Sequence, residues 1–266
     1  MNKITVGIIL VVMAAIMNGC ATFKSSVDNK LEKEFNEVKR GPKGAPYKSI
    51  TTFSESLVCM DNLMQAKGIR DIPVMIEDIE DKTDSVKVGV RDMLISAISE
   101  MTVNSHGIKL IIYGKDTANL ISYMKAANKT SIYETQPLYD IQGSITQYDK
   151  GISSIDGSLG LFYRRKGGLG GASSSSLNVV ALDLNVLHTQ DMSIVPGVSS
   201  RNAVSIFQRG DSLDTDATIN KLGIYFDINL SRNEGQAQAI RNLVELAAIE
   251  TVGKLVKVPY ESCIAN

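Results

Sequence analysis

Between residues 146 and 230 lie about 85 residues in which apolar side chains do not recur at helical spacing. They recur instead at every second position: Leu159, Leu161 and Tyr163; Val180, Leu182, Leu184 and Val186; Val204 and Ile206; Leu222, Ile224, Phe226 and Ile228. Such alternation gives a strand one apolar and one polar face, so this third of the chain reads as β-structure with two unlike sides. The runs are about 12 to 18 residues long, more than an average strand needs. "RRKGG" and "QRGDS" supply turns between them, which predicts two long hairpins. Ser, Asn and Gly crowd the polar faces. Two readings fit: membrane strands, each needing about 9 to 11 residues with one side in lipid and one in water, or extended hairpins of a soluble sheet. In the first reading Arg164, Arg165 and Lys166 form one exposed tip, and Arg209, Gly210 and Asp211 form the other. The Arg-Gly-Asp triplet is read as a turn, not as a receptor motif.

The flanking segments switch period. In "SITTFSESLVCMDNLMQAKG" the residues Phe53, Leu57, Met60 and Met64 fall on one helical face with Gly68 as the stop, which predicts an N-terminal helix within residues 47–70. "IPVMIEDIED" reads as a strand. "SVKVGVRDMLISAISEM" reads as a helix with Val86, Val90, Met93, Leu94, Ala97 and Ile98 inward. "IKLIIYG" is a short buried strand, and "DTANLISYMKAAN" a helix capped by Asp116 with Leu120, Ile121 and Met124 on its apolar side. The last helix, in "EGQAQAIRNLVELAAIETVGKLVKV", turns Ala239, Ile240, Leu243, Leu246, Ala247, Ile249 and Leu255 inward. The expected body is therefore α/β, a small sheet covered by three or four helices.

The N-terminus carries an address. Lys3 precedes an apolar run from Ile4 to Met17 and then Asn18-Gly19-Cys20. About fourteen apolar residues are short for a bilayer helix, which needs roughly 20. They suit an export signal over residues 1–19, with Cys20 as a lipidated first residue bearing diacylglycerol and an N-acyl chain. An ordinary secretory cysteine is the bland alternative. Ala21 rather than Asp follows, which favours the outer membrane. Residues 20–46 are polar and end in Gly41-Pro42 and Gly44-Ala45-Pro46, a flexible tether. An exported chain meets an oxidising compartment, so Cys59 and Cys263 are either a disulfide or two separate buried thiols.

Composition narrows the function. With 28 basic and 29 acidic side chains there is no field to recruit nucleic acid. Two His, His106 in a turn-like stretch and His188 at a strand end, and no metal-ligand spacing give no metal site. No nucleophile elbow, P-loop or dinucleotide fingerprint is present. The expectation is a non-enzymatic protein without a cofactor.

Four motifs in order, "IPVMIEDIEDKTD", "DIQGSI", "GLGGASSSSLNVVALDLNVL" and "NEGQAQAIRNLVELAAIETVGKL", resemble the curli-secretion channel lipoproteins and their holdfast-anchor relatives, the CsgG/HfaB family. The resemblance spans roughly residues 72 to 257, and "SITTFSESLVCMDNLM" is closer to the holdfast branch. It implies a CsgG-like domain over 71–266 whose membrane hairpins, about Ser153 to Ser176 and Val198 to Lys221, join those of other copies in a shared transmembrane β-barrel. It implies further a homo-oligomeric outer-membrane ring with its globular domain in the periplasm. Its partners would be a secreted adhesin or fibre subunit and an accessory or plug protein. Physics agrees that four strands cannot close alone and that open edges cannot face lipid. One departure stands out: "DKTDSVKVGVRDML" lacks the family's pore-narrowing loop, so no gate residue carries over. The competing reading is a periplasm-facing envelope lipoprotein with non-inserting hairpins, acting as a binding or activator module.

Overall fold

The computed structural model describes residues 47–49, 53–86, 88–114, 117–127, 135–150, 155–156, 174–209, 215–221, 224–229 and 235–264. These residues build a mixed α/β domain on one ten-stranded sheet. That is larger than the small sheet expected, because the polar strands continue the α/β sheet instead of forming a separate layer. In chain order come β1 Tyr47–Ser49, α1 Ser54–Ala66, β2 Ile72–Ile76, β3 Glu80–Asp81, α2 Val90–Glu100, β4 Ile108–Ile112, α3 Ala118–Ala126, β5 Tyr139–Asp149 and β6 Ile155–Asp156. There follow β7 Ser174–His188, β8 Ile194–Arg209, β9 Thr215–Lys221, β10 Ile224–Asn229, α4 Gly235–Leu255 and α5 Glu261–Ile264. The strand order is β1-β10-β9-β8-β7-β5-β2-β4, with β3 beside β5 and β6 beside β7.

The Met stripe of α1 is core: Phe53, Leu57, Met60 and Met64 are fully buried. Gly68 ends the helix in a left-handed conformation, φ +68, with Gly68 N–H on Gln65 O and Ile69 N–H on Met64 O. Helix α2 starts at Val90, later than its apolar stripe suggests. The reason lies upstream. The Asp81 carboxylate accepts from Thr83 N (2.9 Å), Thr83 Oγ1 (2.5 Å) and Val86 N (2.5 Å), so it winds residues 81–86 into a turn that excludes helix. Val86 still enters the core, as a turn residue.

The strongest alternation is obeyed along β7, where Val180, Leu182, Leu184 and Val186 all face the helix layer. On β8 the matching row is Val198, Ser200, Asn202, Val204 and Ile206, also buried. The fourth apolar run is not one strand. β9 and β10 pair antiparallel with Ile224 beside Lys221, so the chain reverses direction between those two residues. Gly143 of β5 is where backbones approach most closely: a Cβ there would lie 2.1 Å from Asp183 O on β7.

Helix α4 packs on β7 and β8 with one side and on α1 and α2 with the other. The expected inward residues Ala239, Ile240, Leu243, Leu246, Ala247 and Ile249 are buried, but so are Val244, Ala248 and Val252 on the remaining sides, while Leu255 is only half-buried. Residues 246–253 are buried on every side, as in an interior helix, whereas Ala237 and Arg241 nearer the start are exposed. In contrast α3 has no buried residue, and its Leu120 and Tyr123 are 61% and 69% exposed. Its expected cap, Asp116, lies outside the described residues.

The chain past α4 folds back along it. Lys257 takes φ 56, Val258 N–H returns to Gly253 O (3.0 Å), and Tyr260 lies against Gly253. A Cβ on Gly253 would sit 2.5 Å from Tyr260 Cβ. Gly253→Ala should therefore push the tail off α4 and lower unfolding free energy by about 1 to 3 kcal/mol, read by urea denaturation; an unchanged midpoint would refute this packing.

Candidate functional site

Two regions hold chemistry that the core does not need: the hairpin end of the sheet and a polar cleft beside α4. At the hairpin end Ser175 of β7 pairs with Ile155 of β6 on one side and with Arg209 of β8 on the other. Gln208 pairs in turn with Thr215 of β9. Strands β6 to β9 thus run side by side there, and the connections 157–173 and 210–214 leave from the same end of the sheet. Arg209 is the last residue of β8. Arg164, Arg165, Lys166, Gly210 and Asp211 lie outside the described residues, as does Cys20.

The two hairpins are unequal. Val204, Ile206 and Ile219 are wholly buried on the helix side, so residues 198–206 of the expected second membrane hairpin belong to the helix-covered sheet. Beyond the Ile206–Ala217 pair each arm has about five residues, roughly 17 Å at 3.3 Å each, short of the 9 to 11 of a membrane strand. In the first hairpin the same layer reaches Asn178, which pairs with Ile206 and is also buried, leaving about 13 residues per arm, enough for a crossing.

The polar cleft opens where β8 parts from β7. Their register passes from Asn185–Ser199 to Leu187–Ile194, with Gly197 at φ +76 on the longer side. The cleft measures about 420 Å³ and is walled by Asp183, Asn185, Ser199, Arg201, Glu250 and Lys254 among others. Glu250 is a buried carboxylate on the interior helix. Its Oε2 accepts from Ser200 Oγ (2.9 Å) and Asn202 Nδ2 (3.2 Å), and its Oε1 from Lys254 Nζ (2.7 Å). Lys254 Nζ also donates to Ser199 O (2.6 Å). In the strand row facing away from α4, Arg201 pairs directly with Asp183, its Nε 3.4 Å from Asp183 Oδ1, yet that buried oxygen receives no aligned hydrogen bond. Burial, with Glu250 and Glu261 nearby, pushes the Tyr260 hydroxyl up.

The remaining marked residues have structural positions. Cys59 and Cys263 are joined, with Cα atoms 5.5 Å apart, tying α1 to α5. His106 is exposed at φ 50, its N–H on Thr102 O and its carbonyl taking Asp71 N–H, a turn residue. His188 ends β7, half-buried, with its ring centroid 5.2 Å from that of Tyr139. Asp61 holds the 101–107 loop through Asn104 N, Asn104 Nδ2 and Ser105 N, each at 2.8 Å. Burial alone would raise its pKa, but the bonds from Ser105 and Asn104 outweigh it and leave it lowered.

Neither the cleft nor Asp140 is signalled in the sequence. Asp183, Arg201, Glu250 and Lys254 come from three elements with no shared spacing. Asp140, on β5, is only 5% exposed, and its Oδ1 has no hydrogen-bond partner. Burial, then the charge of Glu77, raises its pKa to about 6. Because the folded value lies above the unfolded one, the site is neutral at low pH and costs stability as pH rises through about 6. Asp140→Asn should remove that slope and stabilise the protein at pH 7 by about 1 to 2 kcal/mol. Denaturation midpoints between pH 4 and 8 that fall equally in both proteins would contradict it.

No protein-family model matches the chain, and no curated protein does. Among solved structures it has partial likeness to a PelC dodecamer from Paraburkholderia phytofirmans (11% identity, 67% of this chain and 86% of that one, TM-score 0.30). A protein from Xanthomonas campestris (7%, 74% and 89%, 0.30) and a hypothetical protein from Chlamydia trachomatis (9%, 73% and 99%, 0.31) are similar to the same degree. Scores this low carry no argument about what the chain does. Its own residues must supply one.

Proposed function

We propose that this chain is an outer-membrane lipoprotein, anchored through Cys20 with its α/β body in the periplasm, that assembles into a ring for secreting or anchoring an extracellular adhesin or curli-like fibre subunit. The observation that carries the reading is the shared register of Ile155, Ser175 and Arg209. It sets two hairpins side by side, pointing the same way; β10 covers the β9 edge as far as the Asp216–Asn229 pair, and among the described residues β6 has no strand on its outer side. A ribbon of four strands cannot curl into a closed barrel alone, and unpaired edges recruit further strands. Copies of the same chain are the natural supply, and head-to-tail pairing of unlike edges closes into a ring. The CsgG/HfaB resemblance supports the same assembly. The Asp81 turn supports a wide lumen, since the segment from Asp84 to Val90 spans at most about 20 Å and cannot form a collar.

One observation favours a second reading. The short arms of β8 and β9 suit a periplasm-facing lipoprotein with non-inserting hairpins, serving as a binding or activator module. Electron microscopy of the detergent-purified protein separates the two. Rings with a membrane-thick β-barrel are expected, and monomers or rings without a barrel would overturn the channel reading. In planar bilayers the rings should conduct freely, and a small, tightly gated conductance would place the constriction elsewhere.

The anchor has its own test. Cys20→Ser should leave the precursor uncleaved by the lipoprotein peptidase and free of radiolabelled palmitate. Normal processing with unaltered outer-membrane fractionation would rule out lipidation at Cys20.

A further inference from the structure

We propose that Glu250 and its two β8 donors, Ser200 and Asn202, form a register pin that holds β8 in one alignment along β7 and so fixes how far the hairpin end of the sheet projects. This is independent of the ring. As packing, the group is unfavourable. Elsewhere α4 buries Ala, Val, Leu and Ile, and well-packed apolar residues in place of a buried ion pair are commonly neutral or stabilising. Asn202 donates from Nδ2 to Ser200 Oγ (2.7 Å) and Glu250 Oε2 (3.2 Å), yet its own Oδ1 is buried without a partner, which costs stability. Buried polar groups of this kind are best explained where they select one arrangement among several.

β8 needs such a device because its other constraints leave slips of two residues open. A one-residue slip is excluded by the apolar row, since it would turn Val204 and Ile206 away from the helix layer. A two-residue slip keeps every side chain on its face. The turn does not prevent it. Leu187 is set beside Ile194, but Asn185 then meets Ser199 instead of Pro196, so a bulge holding Gly197 at φ +76 separates the turn from the long pairing and can take up or release residues. β7 itself is tied to β5, where only a glycine at 143 leaves room for Asp183 O. β9 pairs β8 from Ala203 to Gln208 and would travel with it.

The pin discriminates where the apolar row does not. Toward α4, Ser200 stands opposite Leu184, Asn202 opposite Leu182 and Val204 opposite Val180. Moving β8 by two residues one way puts Val204 in the place of Asn202 and Ser200 in that of Val198. The other way, Val198 takes the place of Ser200, and Asn202 that of Val204. In both cases Glu250 Oε2 loses one of its two β8 donors inside the core, and a hydroxyl or amide lands among apolar neighbours. The Lys254 bond to Ser199 O does not discriminate, because a backbone carbonyl stands there in any register. A lost bond to a buried charge changes the population of a register by about tenfold or more. Each slip would displace Arg209 from Ser175 by about 7 Å, two residues at about 3.3 Å each.

The test uses the full-length protein in detergent, cysteine pairs on the sheet face away from α4, and non-reducing peptide mapping with the Cys59–Cys263 bond as internal standard. Ala181→Cys/Ala203→Cys reports the observed register. Ala181→Cys/Ser205→Cys and Val179→Cys/Ala203→Cys report the two slips, since directly opposed cysteines bridge readily and pairs two residues out of line do not. With the pin intact the first pair should cross-link at least about tenfold faster than the others. In the apolar variant Glu250→Leu/Ser200→Val/Asn202→Val the thermal midpoint should hold or rise while that preference falls to about twofold or less. Ser200→Val/Asn202→Ser/Val204→Asn keeps the composition of the row but moves both donors two residues along β8, and the preferred cross-link should move to Ala181→Cys/Ser205→Cys. Cross-linking that stays with Ala181→Cys/Ala203→Cys in either variant would overturn the pin. So would loss of folding in the apolar variant, which would make the group a source of stability instead of register.

Discussion

The enclosure of the middle of α4, residues 246–253, is the constraint on which the rest of the molecule depends. Helical turns buried on every side need a layer on each, and the chain provides them from distant parts: β7 and β8 below, α1 and α2 above, and the returning tail at the end of the helix. Each of those elements would expose an apolar face without α4, so none of them is a stable unit by itself. Gly253 lets Tyr260 approach, and the disulfide then pins the tail to α1. Cross-linking residues 204 apart removes on the order of 5 kcal/mol of chain entropy from the unfolded ensemble in the simplest model. Disulfides persist in oxidising compartments, the kind into which the proposed export would deliver the chain.

Legibility followed how local each constraint was. The stripe Phe53, Leu57, Met60, Met64 and the alternation Val180 to Val186 are written in short windows, and both elements stand where the pattern puts them. The start of α2 was not legible from hydrophobicity, because Val86 occupies a stripe position while Asp81, five residues earlier, holds it in a turn. The fourth β run hid its reversal for a geometric reason. In the sequence Leu222 alternates with Ile224, Phe226 and Ile228, so the pattern continues between Lys221 and Ile224, where the chain changes direction. The burial of the middle of α4 on every side was masked by alanine. Ala247 and Ala248 are mild enough to read as background beside a leucine stripe, yet small residues are what allow two layers to close on one helix.

The cleft shows the limit of motif reading most clearly. Glu250 and Lys254 stand four apart on a helix, a spacing that ordinarily marks a surface ion pair worth a few tenths of a kcal/mol. Only the burial of the helix turns the pair into an interior charge with obligatory partners. Those partners, Ser200 and Asn202, sit on β8 in the alternating row whose other members are apolar. In the sequence they are two more polar residues in a polar strand.

The same row decides how far the membrane reading can extend along the strands. A strand covered by a helix on its apolar side has no such side left to offer lipid, so Val198 to Ile206 cannot both line α4 and face acyl chains. Any barrel built from this sheet must start above the Ile206–Ala217 layer. There the first hairpin has reach to spare and the second does not, so a ring of such subunits would meet the bilayer with arms of unequal length. Unequal arms need not defeat closure, because strands in a barrel are staggered and tilted, but the short pair would reach only part of the way across. Either β8 and β9 extend through rearrangement of residues 207–216 and the strands beyond, or the outer-membrane contact proposed above would be made by a lipid on Cys20 and one long hairpin alone.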